Sequence, residues 1–155
     1  MTAGALPTLD RVVVMPIVMR TMLEADVRPL GDPDEVGSGH LLCDHGGILA
    51  GLPVAKEAFG RLGARCRAVA LEGTRVEPGA VVAELGGPLA AIRGAAPFAI
   101  KMLEHLSAVA AGADAERPGD PLDAYAVAVR LSLADLVGDD GPTFRIAIDP
   151  IGTID

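Results

Sequence analysis

The chain has 155 residues, of which 50 % are hydrophobic and 3 % aromatic, and its formal net charge is −8. This length and apolar content predict one domain, 1–155, whose core of valine, leucine, isoleucine and alanine needs no disulfide or metal. The acidic charge, the absence of tryptophan and the scattered basic residues argue against nucleic-acid binding, which calls for a basic stripe and stacking aromatics.

The cysteines and the N-terminal residues predict a cytoplasmic protein that is not attached to a membrane. Cys43 and Cys66 do not have the spacing of a disulfide framework, so we expect both thiols to be reduced and buried. The N-terminal residues include Asp10 and have no basic segment ahead of an apolar run. They are therefore untypical of a signal peptide. The apolar stretch 12–18 is too short to span a bilayer.

The first part of the chain is predicted to contain a helix, a loop, an extended segment and a second helix. In chain order these cover 9–25, 28–39, 40–50 and 53–62. The first helix has an apolar stripe, although Pro16 is unfavourable inside a helix and marks an alternative start. Glycine, proline and aspartate dominate the loop, and Gly46-Gly47 break the extended segment. Pro53 stands where a first-turn proline is favoured.

The middle of the chain is predicted to form three strands and a long helix. They cover 64–71, 81–85, 89–92 and 97–111, with a Gly-Gly-Pro turn at 86–88. The alternation of Cys66 and Ala68 with Arg65 and Arg67 is typical of a half-buried strand. In the helix, apolar side chains recur along one face, and Gly112 is expected to end it.

The C-terminal part is predicted to contain a linker, a helix and a closing strand. Asp120 and Pro121 are the residue types favoured at an N-cap and in a first helical turn, and the helix is expected to run to about Val137. In chain order, the linker with its helix covers 113–142 and the closing strand covers 143–150. Together the elements predict an α+β fold, a small sheet with packed helices.

One polar group of candidate ligands lies in the extended segment. On a strand, Cys43 and His45 project to one face, and His40 and Asp44 to the other. Two donors on a face do not make a metal site, and the only further histidine is His105, so we predict neither a metal nor a cofactor. His40, Asp44 and His45 remain candidates for ligand binding.

A second polar group lies in the long helix, where Lys101, Glu104 and His105 fall within one turn. One interpretation places them in a pocket, with Lys101 binding a small carboxylate and a histidine acting as acid or base. On this interpretation all three are candidate catalytic residues. The alternative is a solvated helix face with an i,i+3 ion pair.

Three segments together resemble a known family. They read GILAGLPVAKEAFGRL at 47–62, LEGTRVEPGAVVAELGGPLAAI at 71–92 and IKMLEHLSAVA at 100–110. Their order and spacing are similar to those of the N-terminal domain of quinolinate phosphoribosyltransferase, the carboxylating nicotinate-nucleotide pyrophosphorylase. The resemblance covers 10–112, implies an α/β-hammerhead-like domain, and extends to the closing strand. Hammerhead domains of the biotinyl type carry a modifiable lysine. No lysine lies between 57 and 100 in this chain, so it is not expected to be such a carrier.

The chain departs from this family where the resemblance implies chemistry. An acidic residue and a substrate-binding arginine, which commonly serves a neighbouring subunit, are expected at Ala96 and Pro97, and an asparagine at Lys101. An early Gly-Asp-x-Thr motif is altered at 31–34. The family's catalytic barrel, which holds the phosphoribosyl donor and the magnesium carboxylates, is expected before the closing strand, where this chain has only 113–142.

A pyrophosphate leaving group must be stabilised by positive charges held in place. Because this chain lacks the implied arginine and the barrel, we consider three functional hypotheses. The first is a barrel-less relative, a pseudoenzyme that acts as a homo-oligomeric scaffold, expected to be a dimer, or as the partner subunit of an enzyme in a hetero-complex. The second is a small enzyme or small-acid-binding protein that has gained a new pocket. The third is one half of a split phosphoribosyltransferase whose barrel is a separate chain.

Overall fold

A computed structural model describes residues 11–111, Leu122, Tyr125, Ala126, 142–149 and 153–154. The helices are α1 (Arg11–Glu24), α2 (Leu52–Arg61) and α3 (Leu89–Ala110). The strands are β1 (Val36–His45), β2 (Gly47–Ile48), β3 (Arg65–Ala68), β4 (Arg75–Val76), β5 (Val81–Pro88), β6 (Thr143–Asp149) and β7 (Thr153–Ile154). These elements confirm the predicted α+β class.

The main sheet of the described part is antiparallel, and its strands lie in the order β3-β5-β1-β6-β7. The central strand β1 places Leu41 opposite Ala83 on β5 and Ile146 on β6. All three side chains are buried, so the sheet contributes one apolar face to the core. A smaller ladder joins β2 to β4.

Strand β1 begins earlier than the sequence indicates. The prediction of a loop through residue 39 is wrong for 36–39, which pair with β5. The glycines that favour a loop have a packing role here, because a Cβ atom on Gly37 would lie 2.9 Å from Cδ2 of Leu89. The extended segment 40–50 is confirmed as far as Ile48, but only Gly46 interrupts it, because Gly47 belongs to β2.

Helix α3 also begins earlier than predicted. The predicted Gly-Gly-Pro turn at 86–88 is wrong, since these residues belong to β5. The predicted strand at 89–92 is also wrong, because these residues form the first turn of α3. Pro97, predicted to start the helix, lies inside it with an exposed ring. The buried stripe explains the length of α3, because it continues across the proline at helical spacing. Its members are Leu89, Ile92, Ala96, Ala99, Leu103, Leu106 and Ala110.

The other helices agree with the sequence. Helix α2 begins with Pro53 in its first turn and buries Val54, Ala58 and Phe59 against α3 and α1. Helix α1 contains Pro16 as an exposed interior residue and buries Val18. The predicted start of this helix at residue 9 lies outside the described residues.

The remaining predictions are partly covered by the structure. Strand β3 ends at Ala68 rather than at residue 71, because the N–H groups of Val69 and Ala70 both donate to the Val82 carbonyl, at 2.9 and 3.0 Å. Strand β6 occupies Thr143–Asp149 of the predicted closing strand 143–150, and the short strand β7 follows it. The linker at 113–119 and the helix at 120–137 lie outside the described residues, except for the helical Leu122, Tyr125 and Ala126.

Candidate functional site

The three segments that carry the family resemblance meet at the joint 49–52 between β2 and α2. The Leu49 N–H donates to the Thr74 carbonyl at 3.0 Å, and the Gly73 N–H donates to the Leu49 carbonyl at 2.7 Å. Gly51 adopts a left-handed backbone (φ 108°) and is the N-cap of α2. This conformation is costly for residues with a Cβ atom, which accounts for the glycine.

Ser107 fixes the same joint from α3. Its Oγ accepts a hydrogen bond from the Ala50 N–H at 2.9 Å and donates one to the Ala50 carbonyl at 3.0 Å. Ser107 is fully buried, and this exchange satisfies both of its hydrogen-bonding functions. The serine therefore serves the fold, and sequence reasoning did not single it out.

Glu72 caps the N-terminus of α2 from the turn before β4. Its carboxylate accepts hydrogen bonds from the N–H groups of Gly51 at 2.7 Å and Leu52 at 3.2 Å. The Tyr125 hydroxyl donates to the same carboxylate at 2.6 Å. Burial raises the pKa of Glu72, and these three hydrogen bonds oppose the rise. Burial and the neighbouring Glu72 raise the pKa of Tyr125, which keeps its proton as the donor.

The histidines of β1 are not brought to one site. His40 Nε2 lies 3.9 Å from Glu84 Oε2, and Glu84 also pairs with Arg67. His45 is exposed at the end of the strand. Cys43 points inward, burial raises the pKa of its thiol, and Sγ donates to the His45 carbonyl at 3.2 Å. Within the described residues, no group of three or more histidine, cysteine or carboxylate side chains could hold a metal ion.

Both cysteines are free and buried, as predicted. Burial raises the pKa of the Cys66 thiol to about 11, against a smaller opposing effect of Lys56. A thiol that stays protonated is a poor nucleophile and a poor metal ligand. Cys66 is therefore a core residue.

The candidate residues of α3 do line a common cavity. It has a volume of about 870 Å³ and lies between the end of α1, the loop that follows it and the middle of α3. Lys101, Glu104 and His105 contribute its polar wall, together with Asp26 and Arg28. The second group of residues therefore has a shared concave surface, whereas the group on β1 does not.

Three of the charged groups in the cavity have structural partners. Glu104 Oε2 accepts a hydrogen bond from the Phe144 N–H at 2.9 Å, which ties α3 to β6. Arg28 lies 3.7 Å from Asp26. Lys101 is exposed and, within the described part of the chain, makes neither an ion pair nor a hydrogen bond.

A smaller cavity of about 420 Å³ adjoins the same stretch of α3. Lys101 and Glu104 line it together with Asp44, whose Oδ1 accepts a hydrogen bond from Arg145 Nε at 2.8 Å. Of the candidates on β1, Asp44 therefore lies beside the α3 residues, while His40 and His45 line neither cavity.

Among the described helices, none is both long and apolar enough to cross a membrane.

Three solved structures illustrate the similarity of fold. The nicotinate-nucleotide pyrophosphorylase from Francisella tularensis aligns with a TM-score of 0.58 at 20 % identity, over 66 % of this chain and 39 % of that one. NadC from Streptococcus pyogenes aligns with a TM-score of 0.66 at 17 % identity, over 82 % and 53 %. A NadC deletion mutant gives 0.64 at 22 %, over 80 % and 54 %.

At these identities the structural similarity shows the fold alone, and the chain spans between 39 % and 54 % of the length of these relatives. No curated protein sequence matches the chain. Residues 17–107 match the sequence model described as quinolinate phosphoribosyl transferase, N-terminal domain. That interval is 107 − 17 + 1 = 91 of the 155 residues. The chain therefore belongs to the family of the quinolinate phosphoribosyl transferase N-terminal domain.

Proposed function

We propose that this chain does not transfer a phosphoribosyl group unaided and acts as a dimeric scaffold or as the partner subunit of an enzyme. The observation that carries the proposal is the return of the chain to the sheet. Helix α3 ends at Ala110 and β6 begins at Thr143, which leaves 142 − 111 + 1 = 32 residues between them. A barrel of repeated strand–helix units needs far more chain than this interval offers.

The distribution of positive charge supports the same proposal. Four arginines of the described part lie beside four different carboxylates, so they do not form one cluster. The pairs are Arg28–Asp26, Arg67–Glu84, Arg93–Glu35 and Arg145–Asp44. The position at which the resemblance implies a substrate-binding arginine is Pro97. Stabilising pyrophosphate as it leaves requires cations aimed at one point.

The experiment combines an activity assay with a measurement of mass in solution. The purified chain is incubated with quinolinate, phosphoribosyl pyrophosphate and Mg²⁺, and its mass is measured by light scattering during size-exclusion chromatography. We expect no turnover and the mass of a dimer. Turnover by the chain alone would contradict the proposal, and so would a monomer at high concentration from which no partner co-purifies.

The split-enzyme hypothesis predicts a different result in the same assay. A separately expressed barrel domain from a NadC relative is added to the chain in equal amount. If turnover appears only in the mixture, the chain is the N-terminal half of a split phosphoribosyltransferase. If the mixture stays inactive and the chain is dimeric, the scaffold function is supported.

A further inference from the structure

We propose that the cavity between α1 and α3 binds an amphipathic monocarboxylate, a small acid with one carboxylate and an apolar body. The carboxylate pairs with the ammonium group of Lys101, and the apolar body packs on the apolar side chains that line the cavity. This site lies within one chain and is independent of the subunit function proposed above. The inference rests on the charges, the apolar lining and the volume of the cavity.

The charges select a ligand with one negative charge. The cavity is lined by two cations, Arg28 and Lys101, two carboxylates, Asp26 and Glu104, and the imidazole of His105. Arg28 and Asp26 lie beside each other, and Glu104 accepts a hydrogen bond from the Phe144 N–H. All three side chains therefore already have a partner. Lys101 is the cation left without a partner among the described residues. A dianion such as a phosphate monoester would bring a second negative charge next to two carboxylates.

The rest of the lining selects an apolar body. Leu30, Pro97, Phe98 and Met102 face the cavity, and Leu30 is 50 % exposed. Covering such side chains with an apolar group is favourable by about 25 cal/mol for each Å² removed from water. A methionine adapts to the shape of the group packed on it. The wall therefore favours an aliphatic or aromatic acid over a small polar acid.

The size of the cavity is suited to such a molecule. Its volume of about 870 Å³ falls within the range of about 300–1,000 Å³ typical of small-molecule sites. Lys101 follows Pro97 by one helical turn, so both side chains lie on the same face of α3. The ammonium group is thus held on a regular helix rather than on a loop.

The test uses the whole chain and three probes that share one apolar body. These are 3-phenylpropanoate, its uncharged amide and 2-phenylethyl phosphate. Titrations followed by two-dimensional NMR of the backbone amides give the dissociation constants. We expect 3-phenylpropanoate to bind about 5-fold more tightly than the amide and more tightly than the phosphate, since one ion pair in a partly open site contributes about 1 kcal/mol. The shifted resonances should include residues 98–105.

Two lysine variants give the matched comparison. Lys101→Gln should weaken the binding of 3-phenylpropanoate about 5-fold and leave the affinity for the amide unchanged. Lys56→Gln, at an exposed position on α2, should bind all three probes as the unaltered chain does. Met102→Ala should weaken the acid and the amide equally, because it removes only apolar contact.

Three results would overturn the proposal. They are equal affinities of Lys101→Gln and the unaltered chain for the acid, tighter binding of the phosphate than of the carboxylate, and shifts confined to residues away from the cavity. The mass of each sample is measured in parallel by light scattering. A dimer that binds no acid contradicts this inference alone, and a monomer that binds it and co-purifies with no partner contradicts the subunit function alone.

Discussion

Glu72 shows how one residue joins two segments that lie far apart in sequence. Its carboxylate satisfies two N–H groups at the start of α2, where a helix leaves such donors without intrahelical partners. Ser107, on α3, forms hydrogen bonds with the N–H and the carbonyl of Ala50, the residue before Gly51. The sequence offered a signal for each, namely an acidic residue opening a turn and a serine within an apolar helix face.

Replacing Glu72 should change how the stability of the protein depends on pH. Burial raises the pKa of Glu72 above its ordinary value of 4.5, so the folded state binds this proton more tightly than the unfolded state. The stability that this proton contributes to the folded state is fully present below pH 4.5. It is lost as the pH rises through the pKa that Glu72 has in the folded protein. The free energy of unfolding should therefore fall, relative to Glu72→Gln, by at most about 1.4 kcal/mol per pH unit in that window.

Urea unfolding at a series of pH values from 4.5 upward measures this difference. Glu24→Gln, at an exposed position on α1, is the control, and its curve should run parallel to that of the unaltered chain. Parallel curves for Glu72→Gln as well would show that Glu72 is not a buried titrating group.

At the scale of elements, local patterns predicted α2 well and α3 poorly. The start of α2 depends on Pro53 and on its own apolar face, both of which are visible in sequence. The start of α3 depends on β5 continuing through Gly86 and Gly87 beside β1, a pairing between distant segments. The cavity was out of reach for the same reason, because its loop wall is defined by the approach of α1 to α3. The polar face at Lys101, Glu104 and His105 was predicted.

Two glycines in helices should respond oppositely to substitution by alanine. A Cβ atom on Gly94 of α3 would lie 2.0 Å from the Arg28 carbonyl oxygen, whereas one on Gly60 of α2 meets nothing within 4 Å. Gly94→Ala must displace the loop after α1, and we expect a loss of about 1–3 kcal/mol, as for overpacking. Gly60→Ala should gain about 0.4–1 kcal/mol, because alanine favours the helix.

Thermal and urea unfolding of the two glycine variants provide the measurement. The expectation is contradicted if Gly94→Ala is as stable as Gly60→Ala. Because Gly94 lines the cavity, its substitution should also weaken 3-phenylpropanoate, whereas the substitution of Gly60 should not.

At the scale of the whole molecule, the proposed dimer requires an apolar surface. Met19 and Leu23 lie one helical turn apart on α1, and both are exposed, Leu23 to 74 %. We expect Leu23→Glu to shift the dimer to monomer in light scattering while the circular dichroism spectrum is preserved, since a buried charge opposes association. Leu71→Glu is the matched control, because Leu71 is 73 % exposed on a loop far from α1 in sequence. A dimer that tolerates Leu23→Glu would place the interface elsewhere.

The return of β6 to β1 also has a consequence for how the protein is made. Leu41 pairs with Ile146, which lies 146 − 41 = 105 positions later in the chain. While the chain between them is synthesised, one side of β1 has no strand to accept or donate its hydrogen bonds, and exposed strand edges are templates for pairing with other chains. Contacts between such distant segments also slow folding. One edge of the central strand therefore stays unpaired until β6 has left the ribosome.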